Sequence, residues 1–418
     1  MLAAALRDGA AQRHCVFEVF ARSLPAGRRY GVVGGTDRLL DAIEAFRFGE
    51  PEINELREKQ IVDSATLDWL AAHQFSGDIE GYAEGELYFP GSPILTVSGT
   101  FAEAVLLETL VLSVLNHDTA IASAAARMIG AAGHRPCIEM GSRRTHEQAA
   151  VAAARAAYLA GFAATSNLAA GARYGVPTSG TSAHAFTLLH DDEEAAFSAQ
   201  VTALGLQTTL LVDTYDVPEG IRAAVRAAGA GLGAIRLDSG DLGSLAVQAR
   251  ELLDSLGATE TRIVVTSDLD EYAIAALAAA PVDAYGVGTS LVTGSGAPTA
   301  GLVYKLVEVD GRPVAKGSLG KPSRGGQKFV VRRHNDTGVM TAEVIGDRDR
   351  VPAREGDRAL QVPLVVHGRR ADSEIAPRQR LERAREHHRR VMGTLPAAAR
   401  KLSRGEPAVD TEFVEIRR

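Results

Sequence analysis

The feature that most constrains this chain is an alternation of apolar strand-like runs and helices between residues 208 and 289. Residues 208–214 read as a strand leading to a helix at 219–228. Residues 233–238 lead to a helix at 244–256, 262–267 lead to one at 271–280, and 282–289 end the alternation. Near-continuous Val, Ile and Leu runs, each followed by a long helix, predict parallel strands covered on both faces. The right-handed crossover rule then carries the sheet in one direction. Small and polar residues collect where the runs end: Gly180-Thr181-Ser182-Ala183-His184, Arg236-Leu237-Asp238-Ser239-Gly240-Asp241, Ser267-Asp268 and Gly286-Val287-Gly288-Thr289. An open doubly wound sheet concentrates such residues at one switch point. Their recurrence at every strand end favours an α/β barrel with its site on one rim.

The flanking regions are less regular. Residues 15–20 alternate like a strand, 37–46 and 64–73 read as helices, and 81–97 hold two short β-runs around a Pro/Gly turn. A long helix is expected from Phe101 to about Gly130, which supplies its stop. An alanine-rich helix follows at 145–160. Beyond Lys316 comes a basic Gly/Pro loop at 317–328, then β-like runs at 329–332 and 339–345. The Arg/Glu-rich helix near 376–392 reads as a solvated surface element.

A chain of 418 residues with 46% hydrophobic and 23% charged residues has room for two domains and a large core. A net charge of −7 gives no reason to expect a nucleic-acid partner. Two cysteines, Cys15 and Cys137, argue against a disulfide framework or a cysteine-ligated metal. The apolar stretch at 101–115 is interrupted by Glu103 and Glu108, so it reads as a buried helix and not a membrane span. Arg7 and Asp8 break the short apolar start, which does not read as a secretory signal. The expectation is a reduced, cytoplasmic compartment without a membrane partner.

His184 is the first candidate for chemistry. A neutral imidazole attacks phosphorus well and leaves a labile P–N bond; the alternative is a buried histidine satisfied by a neighbour. His117 and His146 carry weaker versions of the same reading, and His387 and His388 in the Arg-rich helix read as surface residues. Asp238 and Asp241 could accept hydrogen bonds from sugar hydroxyls or hold Mg²⁺. Helix capping is the alternative and fits Asp241 well. Arg236, two residues before Asp238, points into the same rim and could pair with a carboxylate or stack on a ring. Gly286, Gly288 and Thr289 form a glycine-rich strand end that suits phosphate. Arg143-Arg144 is either a solvated helix start or a phosphate-binding pair.

Together these segments resemble the nicotinate phosphoribosyltransferase family from about residue 17 to residue 307. The marks are Phe75-Ser76-Gly77-Asp78, Leu107-Glu108-Thr109-Leu110 with Asn116-His117, Glu139-Met140-Gly141-Ser142-Arg143-Arg144, Gly161-Phe162 with Thr165-Ser166-Asn167, the Gly180-to-His184 run, residues 235–242, and residues 286–290 before Val303-Tyr304-Lys305-Leu306-Val307. Their order and spacing are similar to the actinobacterial branch.

The resemblance implies an irregular α/β barrel at 106–324, of the type II phosphoribosyltransferase kind. A smaller α/β domain would be built from 1–105 plus 325–418. It implies that nicotinate and 5-phosphoribosyl 1-diphosphate (PRPP) give nicotinate mononucleotide and diphosphate, with coupled ATP hydrolysis, in NAD biosynthesis or salvage. By carry-over, His184 is transiently phosphorylated, Thr181 and Arg236 contact nicotinate, Thr289 contacts a PRPP phosphate, and Asp238 faces the ribose. Mg²⁺ and a homodimer with its site at the subunit boundary are also implied. Family members carry an Asp-x-Tyr-x-x-Thr segment just before the position of Met1, its tyrosine stacking on the pyridine ring, so the natural protein is expected to be longer. The competing readings are a nicotinamide or quinolinate phosphoribosyltransferase, or an inactive phosphate-binding barrel. The Thr165-Ser166-Asn167 and Gly180-to-His184 patterns favour nicotinate.

Overall fold

Six parallel strands carry the site: Cys137–Glu139, Ala164–Thr165, Thr209–Leu211, Ala234–Leu237, Arg262–Val265 and Ala284–Val287. Among the described residues of this computed structural model (1–317, 323–352 and 354–414), they form one sheet. The last strand lies beside the first, with Tyr285 opposite Cys137. The others follow in chain order around the sheet, and the ladder is open only between Ala164–Thr165 and Thr209–Leu211. A doubly wound sheet reverses its order at a switch point; a cyclic order is that of a barrel. The sheet is therefore a curled barrel with one open seam.

That seam lies where a strand-like run was expected to end at Gly180. The run contributes a single bridge, Thr165 to Thr178. Pro177 lacks the N–H that a longer ladder would need. The first two strands, of three and two residues, are too short to leave a periodic signal in the sequence.

The helices follow the strands as expected, with shifted ends. Val217–Ala228, Leu242–Ser255 and Glu271–Ala276 are each capped by an aspartate, Asp216, Asp241 and Asp270, whose carboxylate accepts backbone N–H groups of the first turn. The Ala234–Leu237 strand is buried at every residue, as a strand covered on both faces must be.

These elements belong to a unit spanning Ala124–Pro298; the second unit combines Met1–Ser123 with Thr299–Arg418. Boundaries at 105/106 and 324/325 were expected. In the second unit, His14–Ala21 runs antiparallel between Leu95–Thr100 and Leu302–Val309 in a seven-stranded sheet. A four-stranded sheet contains Phe329–His334 and Met340–Gly346. Phe17, Val19, Ile79, Val97 and Tyr304 are core residues, with the Phe17 and Tyr304 rings stacked at 4.8 Å.

Three local expectations need correction. The long helix divides into Phe101–Leu106 and Glu108–Ala132; Gly130 stays helical, and the turn comes at Gly133, with φ of +65°. The Pro377–Thr394 helix is not simply solvated, because Leu381, Ala384, His388 and Val391 form a buried stripe. His388 is accordingly buried, and His387 is half-buried. His387 Nε2 lies 2.9 Å from Glu86 Oε2, and His388 Nδ1 lies 2.9 Å from the Gly85 carbonyl. Of the loop expected at 317–328, residues 318–322 lie outside the described residues. Among the described residues, no helix is long and apolar enough to cross a membrane.

Candidate active site

The polar strand ends of the Ala124–Pro298 unit meet around a cavity of about 430 Å³. Arg236 is its hub. The residue is 9% exposed, on a strand whose hydrophobic neighbours are fully buried. Nε donates to Thr266 Oγ1 at 2.8 Å, Nη1 to Thr181 Oγ1 at 2.6 Å and Nη2 to Asp238 Oδ1 at 2.7 Å. One planar fork thus ties two strand ends and the Gly180–His184 segment into a fixed arrangement. Asp238 also accepts a bond from the Thr266 hydroxyl. Burial alone would raise the Asp238 pKa. The Thr266 hydroxyl and the Arg236 guanidinium outweigh it, with His184 adding, and hold the carboxyl below the usual aspartate value.

His184 opens the short helix His184–Leu188 at the cavity wall, its side chain 41% exposed. Its Nε2 lies 3.1 Å from Asp213 Oδ1. Asp213 is buried, and its Oδ2 accepts the Asp238 backbone N–H at 2.8 Å and the Ser239 hydroxyl at 2.9 Å. One carboxylate therefore orients both the imidazole and the Asp238 loop. Sequence reasoning missed Asp213. It follows the Thr209–Leu211 strand just as Asp238 follows its own, and that shared position was the available signal.

Another part of the lining is rich in glycine and arginine. Gly286, Gly288 and Thr289 line the cavity with Arg143 and Arg144. A side chain at Gly286 would put its Cβ 2.5 Å from Thr266 Cγ2 and 2.8 Å from Met140 Sδ, so only glycine fits. Arg143 and Arg144 sit on the single turn Ser142–Arg144 as exposed guanidiniums. Ser267, also in the lining, holds a φ of +113°, a strained value for a residue with a side chain.

Thr181, His184, Arg236, Asp238, Arg143, Arg144, Gly286, Gly288 and Thr289 thus share one cavity. Asp241 stands apart, its carboxylate capping the next helix through Ser244 N at 3.3 Å and Ser244 Oγ at 2.9 Å. His146 is an exposed helix cap, accepting from Gln148 N at 3.3 Å, and His117 pairs with Asp118 in the other unit. Neither lines the cavity. Among the described residues, no three His, Cys, Asp or Glu side chains converge as a metal site would require.

Comparison with known proteins identifies the family. Residues 1–116 match the family described as nicotinate phosphoribosyltransferase (NAPRTase) N-terminal domain. The chain is 62% identical over 424 residues to nicotinate phosphoribosyltransferase pncB1 of Mycobacterium tuberculosis, covering 99% of this chain and 93% of that protein. It is 41% identical over 397 residues to pncB2 of the same organism, covering 93% and 84%. The crystal structure of human nicotinic acid phosphoribosyltransferase superposes with a TM-score of 0.84 at 25% identity, covering 99% of this chain and 96% of that one. The chain therefore belongs to the nicotinate phosphoribosyltransferase family, enzymes of NAD biosynthesis.

Proposed function

We propose that this nicotinate phosphoribosyltransferase couples its reaction to ATP through a phosphorylated His184. The observation that carries the reading is the His184–Asp213 pair at the wall of the cavity that holds Arg236 and Asp238. With Nε2–H held by Asp213, the Nδ1 lone pair is left to attack the γ-phosphorus of ATP. A P–N bond forms, the bond from phosphorus to the ADP oxygen breaks, and ADP leaves. Water later cleaves the P–N bond and releases phosphate. The phosphohistidine does not attack the sugar; it favours a state that binds substrate tightly, and its hydrolysis draws the cycle forward.

In the transfer itself, departure of diphosphate from PRPP leaves an oxocarbenium-like ribose, which the pyridine nitrogen of nicotinate attacks at C1. Thr181 and Arg236 orient the nicotinate, whose carboxylate suits a guanidinium. Asp238, held ionised, faces the ribose hydroxyls and the developing positive charge. Arg143, Arg144 and the Gly286, Gly288 and Thr289 segment hold the phosphates. The protein's donor set does not fit a resident metal: Asp238 Oδ1 is taken by Arg236 and Thr266, and Asp241 is committed to its helix. Mg²⁺ therefore enters with the diphosphate as part of the substrate, in keeping with its preference for phosphate oxygens and water.

A homodimer with the site at the subunit boundary follows the resemblance. Leu188 and Leu189, 61% and 79% exposed just beyond His184, support it, because a partner would cover them. The expected compartment is the cytoplasm.

Intact-mass analysis after incubation with ATP tests the central step. Wild-type protein is expected to gain one phosphoryl group. His184→Ala gains none and loses ATP coupling, while some uncoupled transfer survives. Phosphorylation of Asp213→Asn slows by about tenfold or more, the expected cost of losing a charge-assisted bond. A phosphoryl group still attached to His184→Ala would sink the proposal.

A further inference from the structure

The carboxyl group of Glu139 is the most deeply buried acid beside the cavity, and nothing above gives it a role. It ends the Cys137–Glu139 strand. Its Oε1 accepts the Gly141 backbone N–H at 2.5 Å, and its Oε2 accepts from the Thr165 hydroxyl. Burial pushes its pKa up, while the Thr165 and Gly141 bonds pull the other way. A buried carboxyl is costly to keep in a core, and simple packing would favour an apolar residue there.

Its partners lead to two loops of the cavity. Gly141 directly precedes Ser142, Arg143 and Arg144. Thr165 precedes Ser166, another lining residue, and its hydroxyl accepts the Asn167 N–H at 3.0 Å. Asn167 Nδ2 then donates to Ser142 Oγ at 2.9 Å, which closes a ring of bonds from one loop to the other. The Ser166 N–H donates to the Glu139 carbonyl at 2.8 Å. Gly141 also has no room for a side chain. A Cβ built on it would lie 2.3 Å from Val292 Cγ1 and 3.0 Å from the Gly288 carbonyl. The arginine loop is thus pressed against the glycine-rich phosphate segment, with Glu139 pinning it from behind.

We propose that Glu139 is a positioning residue for PRPP: acting through Gly141 and the Thr165–Asn167–Ser142 chain, it sets Arg143 and Arg144 opposite Gly288 at the spacing that a sugar phosphate requires. This rests on the reading of Arg143 and Arg144 as phosphate contacts. A positioned guanidinium pair contributes to binding only if its backbone is fixed beforehand, because ordering it on binding consumes the gain. Loss of Glu139 therefore weakens PRPP binding and spares His184 and the nicotinate contacts.

Steady-state kinetics with the full-length chain decide the matter. Glu139→Ala is expected to raise KM for PRPP by about tenfold or more, from the lost bond and the unpaired Gly141 N–H. KM for nicotinate and phosphorylation of His184 by ATP should stay within about twofold, since neither uses this loop. Glu139→Gln, which keeps an acceptor for Gly141 and a polar group for Thr165, should restore most of the PRPP affinity. Asn167→Ala, a milder cut in the same ring that remains usable if Glu139→Ala fails to fold, should also raise KM for PRPP selectively. Equal rises in both KM values, or an unchanged KM for PRPP in a folded Asn167→Ala variant, would overturn the proposal. Arg143→Ala is measured alongside. If it leaves KM for PRPP unchanged, the phosphate reading of the loop has failed; if it raises that KM while Glu139→Ala does not, only the role of Glu139 has failed.

Discussion

Arg332 and Arg236 are both buried arginines on β-strands, one in each unit, and their surroundings differ in kind. Arg332 is fully buried. Nη2 donates to Glu343 at 2.5 Å and to the Leu87 carbonyl at 2.9 Å, while Nη1 faces Glu86 at 3.3 Å. The hydroxyls of Tyr82 and Ser92 add to Glu343, and Arg358 and His387 add to Glu86. The protein supplies partners for both Nη atoms, while Nε is buried without one among the described residues. Arg236 is bonded as well, but its partners Thr181 and Asp238 line an open cavity, and Arg143 and Arg144 in the same lining are exposed. An enclosed charge cannot be removed without leaving its partners uncompensated; a charge bonded on one side and open on the other is accessible to a ligand.

That contrast can be broken most directly at Arg332. Arg332→Ala leaves the buried Glu343 carboxylate without its cation, while Glu86 keeps Arg358, and should cost about 3–5 kcal/mol of stability. Chemical denaturation reads this as a lower midpoint, while KM values of the remaining folded enzyme stay near wild type. A variant as stable as wild type would mean the enclosed network is dispensable.

The histidines sharpen the same contrast through pH. His184 is partly exposed at the cavity, whereas burial lowers the His388 pKa from 6.5 to about 4. Between these values the unfolded chain takes up a proton that the folded core refuses. The stability contributed by neutral His388 is thus complete above pH 6.5 and is lost as pH falls toward 4, by about 3 kcal/mol in all. His388→Gln can still donate to the Gly85 carbonyl but cannot be protonated, so its denaturation midpoint should fall less over that window. Identical pH profiles for variant and wild type would remove His388 from the enclosed set.

The smallest effect is expected at Asp241. As a helix cap, Asp241→Ala should lower the denaturation midpoint slightly and Asp241→Asn still less. Neither should change the Mg²⁺ dependence of activity. A shift in that dependence would move Asp241 to the catalytic side of the comparison.

Much of the site could be read before the fold was known, because its residues sit at ends of long apolar runs. His184, Arg236, Asp238 and the Gly286-to-Thr289 segment stood out for that reason. Asp213 did not, since an aspartate after a strand is equally suited to a cap, and Asp216 three residues later is one. The strands of Glu139 and Thr165 were invisible because three and two residues cannot display a period. His387 and His388 were misplaced because a helix rich in arginine and glutamate conceals a buried stripe when only its composition is weighed.

What the amino-acid order settled alone was local: which segments are strands, which are helices, and that polar groups gather at the C-terminal ends of the strands. These properties follow from side-chain periodicity and backbone propensity within a few turns of chain. Which of those polar ends face one another was decided only by the tertiary structure. Arg236 meets Thr181 across 55 residues of chain because the barrel order brings their segments to one rim. A contact at that separation depends on how the whole sheet curls and packs, and no local pattern encodes it.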